Sequence, residues 1–279
     1  MDRQTDLDDS KVAGLAGEVQ LTGSVPARRA RPYWPASLAV LVVFLLAWQY
    51  ASTSGLIHSI ILPAPTAIAR AAPELLQDRD FWPHLATTLV EFLGGFLLGS
   101  LVGLVLGVAL ALSPLLRRAY FPLVAAFQAT PRVILAPVMV AWFGFGVQSK
   151  IAQAVILCFF PVFLNTLVGL SLTEENALKL MRSLGASRWQ TFVKLRLPDA
   201  LPTIFAGLKL ALTFAMIGAI IAEFVGAEGG LGYLLSKYNF ELRIPLVYTL
   251  IVLLGLIGLA LFLLLDWLDR KLVFWKAEG

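Results

Sequence analysis

Residues 173–201 read TEENALKLMRSLGASRWQTFVKLRLPDAL, the only long polar and basic stretch between the first and last apolar spans of this chain. Thr173 is a suitable N-cap for a helix, and Glu174 and Glu175 suit the positive end of a helix dipole. Gly185 interrupts the helical spacing of apolar residues, as a glycine just beyond a helix C-terminus does. The stretch therefore predicts a helix that ends in a glycine turn.

A second helix is predicted directly after this turn. Ser187 is a suitable N-cap, and Pro198 is expected to stop the helix because the residue before a proline disfavours helical backbone. The apolar residues of this second helix are Trp189, Phe192, Val193 and Leu197. The sequence thus predicts a helix–glycine–helix hairpin between membrane spans, with an ordinary interfacial connector as the alternative.

The composition places the chain among membrane proteins. Hydrophobic residues make up 58% of it and charged residues only 14%, which is far from the balance of a soluble domain. Cys158 is the only cysteine, so no disulfide can form within the chain and a thiolate metal site is not expected.

Six apolar spans are predicted, which makes the fold an all-α polytopic membrane protein. They cover about residues 35–52, 85–112, 120–142, 151–172, 202–225 and 245–267. Residues 66–77 are too short to cross a membrane and predict a surface helix on the outer side. Residues 226–243 are interpreted as an outer loop.

Two of the spans have unusual composition. The second carries glycines at every fourth position from Gly95 to Gly107, which permits close contact with another helix of the same bundle or, alternatively, of a second chain. The third contains Pro122, Pro131 and Pro137, so it should be kinked or broken and should face protein or a water-filled path.

Positive charge predicts the orientation of the spans. Residues 1–32 are polar, cannot bury a core, and are interpreted as a flexible cytoplasmic tail, with residues 33–279 as the six-span domain. Lys and Arg outside the spans concentrate in this tail, in the hairpin and after the last span. The positive-inside rule therefore places both termini and residues 173–200 in the cytoplasm.

The chain is not expected to be an enzyme. It has no G-x-x-x-x-G-K-[ST] sequence to cradle a phosphate, and no histidine-based metal motif or nucleophile–histidine arrangement. Transport against a gradient would need energy from a partner or from an ion gradient, which leaves an ion-coupled secondary transporter as the alternative of another class.

Polar and ionisable residues inside membrane spans are functional candidates by default. The candidates for the translocation path are Glu91, Gln128, Arg132 and Glu223. Arg132 and Gln128 are interpreted as lining a path, where Arg132 attracts an anionic solute. In the alternative interpretation, Arg132 pairs with Glu91 or another acid and only stabilises the bundle. For Glu223, snorkelling to the nearby surface is an equal alternative.

The hairpin resembles the coupling loop of binding-protein-dependent ABC transporter permeases. That signature runs Glu-Ala-Ala, three residues, Gly, nine residues, Ile-x-Leu-Pro. Gly185-Ala186-Ser187 and Leu195-Arg196-Leu197-Pro198 match it with the nine-residue gap kept, whereas Lys179, Leu180 and Met181 stand at the Glu-Ala-Ala positions. Lys179 reverses the charge of the family's acid, so an ion pair made by that acid is absent here or is rebuilt with an acid on the partner.

Two further segments are similar to the nitrate, sulfonate and taurine branch of that family. They are residues 142–146, WFGFG, and 229–233, GGLGY. The resemblance implies a permease subunit of an ATP-driven bacterial importer in the inner membrane, a multi-pass protein within the lipid bilayer. Its solute would be a small anion such as an alkanesulfonate, taurine or nitrate, or alternatively a pyrimidine vitamin precursor.

The resemblance also implies the partners. Two such chains would form the pathway, ABC ATPase subunits would dock on the hairpins, and an extracytoplasmic binding protein would deliver the solute; no nucleic acid is involved. ATP and Mg would bind to the ATPase, with no cofactor or metal on this chain. The residues that couple to the ATPase would be Glu174, Glu175, Lys179, Gly185, Ala186, Ser187, Leu195, Leu197 and Pro198.

Overall fold

The computed structural model describes residues 34–275, without the side chains of residues 34, 114, 125, 128 and 129. The expected tail over residues 1–32 lies outside the described residues. Within them the chain is helical, with no strand. It divides between Ala47 and Trp48 into two units. Residues 34–47 belong to a single helix, in which the side chains of residues 35–47 are exposed, and residues 48–275 contain the packed cores.

The helices, numbered in chain order, have the following bounds. They are α1 (Trp34–Thr53), α2 (Pro65–Gln77), α3 (Phe81–Leu112), α4 (Pro114–Ala129), α5 (Ala136–Phe143), α6 (Val147–Ser171), α7 (Glu175–Ser183), α8 (Arg188–Thr191), α9 (Leu197–Gly226), α10 (Leu231–Phe240) and α11 (Ile244–Leu272). A 3-10 turn (Arg132–Leu135) precedes α5, and a π turn (Phe192–Arg196) joins α8 to α9.

Among the described residues, five helical segments are long and apolar enough to cross a membrane. They are Pro35–Thr53, Phe81–Leu112, Val147–Ser171, Arg188–Gly226 and Ile244–Leu272. The third expected span is the exception, because α4 ends at Ala129 and only a short apolar helix follows the break at Thr130 and Pro131. The proline content predicts this break. The all-α polytopic membrane fold is confirmed, with five spanning helices among the described residues and a broken helix in place of the third predicted span.

The bundle is centred on α6, which packs against α3 on one side and α9 on the other. The glycines of α3 form the contact with α6. A Cβ atom built on Gly99 would lie 2.3 Å from Cys158 Sγ, and one on Gly95 would lie 2.3 Å from Ala154 Cβ. The small residues therefore let two helices of the same bundle approach closely, as one of the two interpretations of this stripe predicts.

The prediction of a loop over residues 226–243 is wrong, because α10 occupies its middle. Leu231, Leu234 and Tyr238 recur at helical spacing and are buried in one cluster with residues of α2, α3 and α11. The Tyr238 hydroxyl donates to Asp78 Oδ2 at 3.2 Å. Burial, together with the charge of Asp78, raises the pKa of Tyr238 to about 12.

Candidate functional site

The first helix of the hairpin, α7, begins one residue later than Thr173 predicts. Glu174 is the N-cap without a side-chain hydrogen bond, whereas the Thr173 hydroxyl is buried and has no partner among the described residues. The C-terminus agrees with the prediction. Gly185 has φ +72°, and its N–H donates to the carbonyl of Arg182 while the N–H of Ala186 donates to that of Met181, both at 3.0 Å. This paired arrangement satisfies carbonyls at the end of the helix.

Ser187 caps the second helix as predicted. Its hydroxyl accepts from the N–H of Gln190 at 3.1 Å, and the Gln190 side chain accepts from the N–H of Ser187 at 2.8 Å. This reciprocal capping box, together with the glycine turn, fixes both ends of the connection. The turn between the two helices is therefore built from local hydrogen bonds and needs no contact with the rest of the bundle.

The prediction that Pro198 stops the second helix is wrong. The backbone continues from α8 through the π turn into α9, and the N–H of Leu197 donates five residues back to the carbonyl of Phe192. Pro198 follows directly after the π turn, where the regular hydrogen bonds to the fourth residue back, which a proline interrupts in an α-helix, are already replaced. A continuous helix of 39 residues thus runs from Arg188 to Gly226, about 58 Å at 1.5 Å per residue.

The hairpin has an exposed apolar face. Trp189 is 71% and Leu184 72% exposed, although both are large apolar residues. The Trp189 ring stacks on Phe192 at 5.7 Å between centroids. Phe192 and Leu197 in turn pack against the buried cluster of Leu170 and its neighbours, so they anchor the hairpin to the bundle. Exposed apolar surface of this kind marks a site for a partner or for lipid.

Two other residues of the expected coupling set have defined surroundings. Lys179 pairs with Glu175 at 3.0 Å, one helical turn apart on α7, and both side chains are exposed. The lysine that stands at the family's acidic position therefore has an acid within its own helix. Leu195 lies half-buried within the π turn.

Arg132 does not pair with Glu91 or with any other acid among the described residues. Its guanidinium Nη1 lies 3.4 Å from the carbonyl oxygens of Ile156 and Leu157 in α6, and its Cζ lies 5.6 Å from the Phe160 ring centroid. Pro161 has no N–H to donate to the carbonyl of Leu157 four residues before it. Arg132 thus supplies a donor to a helical carbonyl that a proline leaves unsatisfied.

A second hydrogen bond joins the same two segments in the opposite direction. Gln153 Nε2 in α6 donates to the backbone carbonyl of Arg132 at 3.0 Å. Two hydrogen bonds of opposite direction thus join the break in the third passage to α6. Gln128, the other candidate for the path in this region, lies in α4, and its side chain is outside the part of the structure that is described.

Glu223 does not snorkel to the surface, because only 2% of it is exposed. Its carboxylate accepts from the Thr88 hydroxyl at 2.7 Å and from the N–H of Gly232. Thr88 Oγ1 also accepts from the N–H of Leu231 at 2.7 Å, and His84 Nδ1 accepts from that of Gly230 at 3.0 Å. The first backbone donors at the start of α10 are thus bound by side chains of α3 and α9.

The structure brings Glu91 and Glu223 together but leaves Arg132 apart from them. The Glu91 carboxyl faces that of Glu223, and Lys150 lies near both. Together with Thr88 these residues are called the buried cluster below. Lys150 is 1% exposed and donates to the carbonyl of Gly226 at 2.9 Å and to that of Phe145. Lys150 precedes the predicted span over residues 151–172 but lies within α6, because this helix already begins at Val147.

A second charged cluster, not predicted as a site, ties α9 to α11. Lys209 Nζ lies 2.7 Å from Asp266 Oδ1 and 2.7 Å from Asp269 Oδ2, and Arg270 pairs with Asp266 at 3.0 Å. Lys209 falls within the fifth span and the aspartates follow the most apolar part of the sixth. The occurrence of a cation and acids near the ends of neighbouring spans is the signal that could have revealed this pair.

The chain matches a known transport family. Residues 95–274 match the family described as the binding-protein-dependent transport system inner membrane component. The match covers the broken third passage, the hairpin and the last two spans. The chain belongs to this family and is a membrane-spanning permease subunit of an ABC importer, a class that works in general with an ATPase and a binding protein.

Characterised relatives extend over most of the chain. It is 38% identical to the riboflavin transport system permease protein of Chloroflexus aurantiacus over 88% of this chain and 90% of the relative. It is 34% identical to the formylaminopyrimidine transport permease protein of Halalkalibacterium halodurans, over 78% of this chain and 87% of the relative. It is 31% identical to the taurine transport system permease protein of Escherichia coli, over 93% and 98%.

Solved structures share the fold. An inward-facing form of the MetNI methionine ABC transporter aligns with a TM-score of 0.58 at 25% identity, over 71% of this chain and 96% of the other. An amino acid ABC transporter aligns with a TM-score of 0.55 at 14% identity, over 75% and 96%. The second likeness concerns the fold alone.

Proposed function

We propose that residues 173–200 are the element through which an ABC ATPase drives this permease. The observation that carries the proposal is the continuous helix from Arg188 to Gly226. One end of this helix lies in the hairpin with its exposed Trp189, and the other end carries Glu223 in the buried cluster. A displacement of the hairpin by a docked ATPase is therefore transmitted along one continuous helix to the opposite end of the bundle.

The partners follow from this mechanism. ATP and Mg bind to separate ATPase subunits, and no cofactor binds to this chain. Two copies of the chain form the pathway, and an extracytoplasmic binding protein delivers the solute to the side of α2 and α10. Both termini and the hairpin lie in the cytoplasm, because Lys and Arg concentrate there in the sequence. The family match favours this importer over an ion-coupled secondary transporter.

The solute is a small molecule supplied by the binding protein. A taurine-type anion is supported by the taurine relative from Escherichia coli. A heterocycle such as a pyrimidine vitamin precursor is supported by the riboflavin and formylaminopyrimidine relatives. Ligand screening of the cognate binding protein, with taurine against a formylaminopyrimidine, separates the two.

Gly185 provides the test of the coupling element. Its φ of +72° strains any residue with a Cβ by about 1 kcal/mol, yet a Cβ atom added there would meet no other atom within 4 Å. Gly185→Asp should insert normally in the membrane but lose co-purification of the ATPase and ATP-driven uptake. Gly55→Asp is the matched control, since Gly55 has φ +79° and equally open surroundings outside the hairpin.

The two variants distinguish docking from backbone strain. Loss of ATPase binding in Gly185→Asp but not in Gly55→Asp supports the coupling element. Normal ATPase binding and normal uptake in Gly185→Asp contradict it. Equal loss in both variants assigns the effect to strain in general and also counts against the proposal.

A further inference from the structure

The helix α7 has two opposite faces. Leu180 and Leu184 are 59% and 72% exposed, whereas Leu178 and Arg182 line a cavity of about 430 Å³. Residues two positions apart in an α-helix are about 200° apart around its axis. The cavity therefore lies on the side of α7 away from the exposed leucines, where Leu112 at the end of α3 forms part of its wall.

Three arginines line this cavity and no acid does. They are Arg182 on α7, Arg188 on α8 and Arg196 in the π turn. Throughout residues 34–275, no carboxylate lies within 4.0 Å of any of the three guanidinium groups. Thr191 adds a hydroxyl to the lining. The lining is thus cationic, with hydrogen-bond donors from three segments of the hairpin.

Arg196 is the member that an ordinary solvated surface does not explain. Its Nε is buried and has no hydrogen-bond partner among the described residues. A buried N–H without an acceptor is unfavourable, and three like charges around one cavity repel one another. An anion bound in the cavity would relieve both, and the planar guanidinium group is suited to oxyanions because it donates two parallel hydrogen bonds.

We propose that this cavity is a binding site for a tetrahedral oxyanion of the sulfate or phosphate type. The group can come from two sources, a free ion or the headgroup of an anionic phospholipid, because Leu112 places the cavity at the end of a membrane span. The site is separate from the apolar face proposed for ATPase docking and does not depend on that proposal.

The test uses the full-length permease in nanodiscs of phosphatidylcholine. The thermal unfolding midpoint is measured against sulfate, phosphate and chloride at equal ionic strength. A second series replaces part of the phosphatidylcholine with phosphatidylglycerol. The variants are Arg196→Gln and Arg188→Gln, of which the second changes an exposed side chain and leaves folding intact. Lys194→Gln is the control, since Lys194 is an exposed neighbour that does not line the cavity.

Sulfate or phosphate should raise the midpoint saturably in the wild type and in Lys194→Gln. Each arginine variant should weaken the apparent affinity by about tenfold, the loss of one hydrogen bond to a charged group. A response in phosphatidylcholine identifies a free oxyanion, and a response only with phosphatidylglycerol identifies a headgroup; both support the site.

Three results overturn the proposal. One is an equal response to chloride, and another is unchanged affinity in both arginine variants. The third is no response to any oxyanion or lipid combined with loss of ATPase co-purification in Arg196→Gln, which would assign the arginines to a carboxylate of the partner. The unfolding midpoint is measured on the permease alone, without ATPase or transport. A missing response to the oxyanion is therefore distinguishable from a failure of the proposal that the hairpin couples to the ATPase.

Discussion

The guanidinium group of Arg132 donates to the carbonyl of Leu157 across the break in the third membrane passage. Pro161 removes the N–H that this carbonyl would otherwise accept in α6. The broken third passage thus supplies the hydrogen-bond donor that the proline-containing helix α6 lacks. Arg132 therefore lies within the bundle without a carboxylate partner. The contacts are of the stabilising kind that the second sequence-based interpretation expected, but carbonyl oxygens of α6 take the place of the expected acid.

Arg132→Ala should therefore be less harmful when Pro161 is replaced. In the wild-type background the substitution should lower the free energy of unfolding by about 1 kcal/mol, the loss of a charged donor to a buried carbonyl. In the Pro161→Ala background, alanine restores the helical N–H, and most of this cost should disappear. A double-mutant cycle on thermal or denaturant unfolding in nanodiscs measures the coupling. Additive effects would contradict the shared carbonyl.

Thr88 should be important for the start of α10. Its hydroxyl bridges Glu223 and the N–H of Leu231, so Thr88→Val leaves two buried groups without a partner and should cost about 2 kcal/mol of stability. Thr87→Val is the matched control, because the neighbouring hydroxyl bonds only the carbonyl of Pro83 in its own helix. The unfolding midpoint measures both variants, and equal midpoints would refute the bridging role.

The glycines of the membrane helices α3 and α11 should differ strongly in their tolerance of substitution. At Gly99 a new Cβ meets Cys158 Sγ at 2.3 Å, whereas at Gly255 no atom lies within 4 Å. Gly99→Ala should reduce the yield of folded protein by forcing α3 away from α6. Gly255→Ala should be neutral or slightly stabilising, since alanine has the higher helix propensity. Size-exclusion profiles and unfolding midpoints compare the two, and a well-folded Gly99→Ala protein would count against the close contact.

The proposed orientation predicts which side of the membrane each loop occupies. On a background without Cys158, Ser187→Cys should be protected from an impermeant thiol reagent added outside. Asn239→Cys, near the end of α10, should react. Both positions are exposed in the fold, so access to the residue itself does not limit labelling. The opposite pattern would reverse the topology.

Local signals predict the hairpin well. Gly185 and Ser187 act through hydrogen bonds to residues within five positions, so their identity alone indicates the turn. The effect of Pro198 depends instead on the π turn before it. No short-range pattern specifies that turn, so the proline alone predicts a helix end that the structure does not have.

The buried cluster shows which contacts cannot be predicted from the sequence. Glu91 and Glu223 are visible as acids in apolar spans, but their partners come from positions far apart in the sequence. Thr88 and Glu223 are 135 residues apart. The predicted fourth span begins only at residue 151 and leaves out Lys150, because the start of α6 carries polar residues that are buried only after the helices pack. Periodicity identifies the helices, whereas the pairing of polar groups depends on their tertiary arrangement.

The π turn between α8 and α9 determines how α8 is rotated around the helix axis relative to the membrane span in α9. A π turn contains one residue more than the equivalent α-helical turn, and each residue of an α-helix advances the chain by about 100° around its axis. The direction in which Trp189 faces, relative to the membrane span, is thus determined by the number of residues between Phe192 and Arg196. A single-residue deletion there would turn the exposed aromatic face toward a different side of the bundle, even if every contact within the hairpin were preserved.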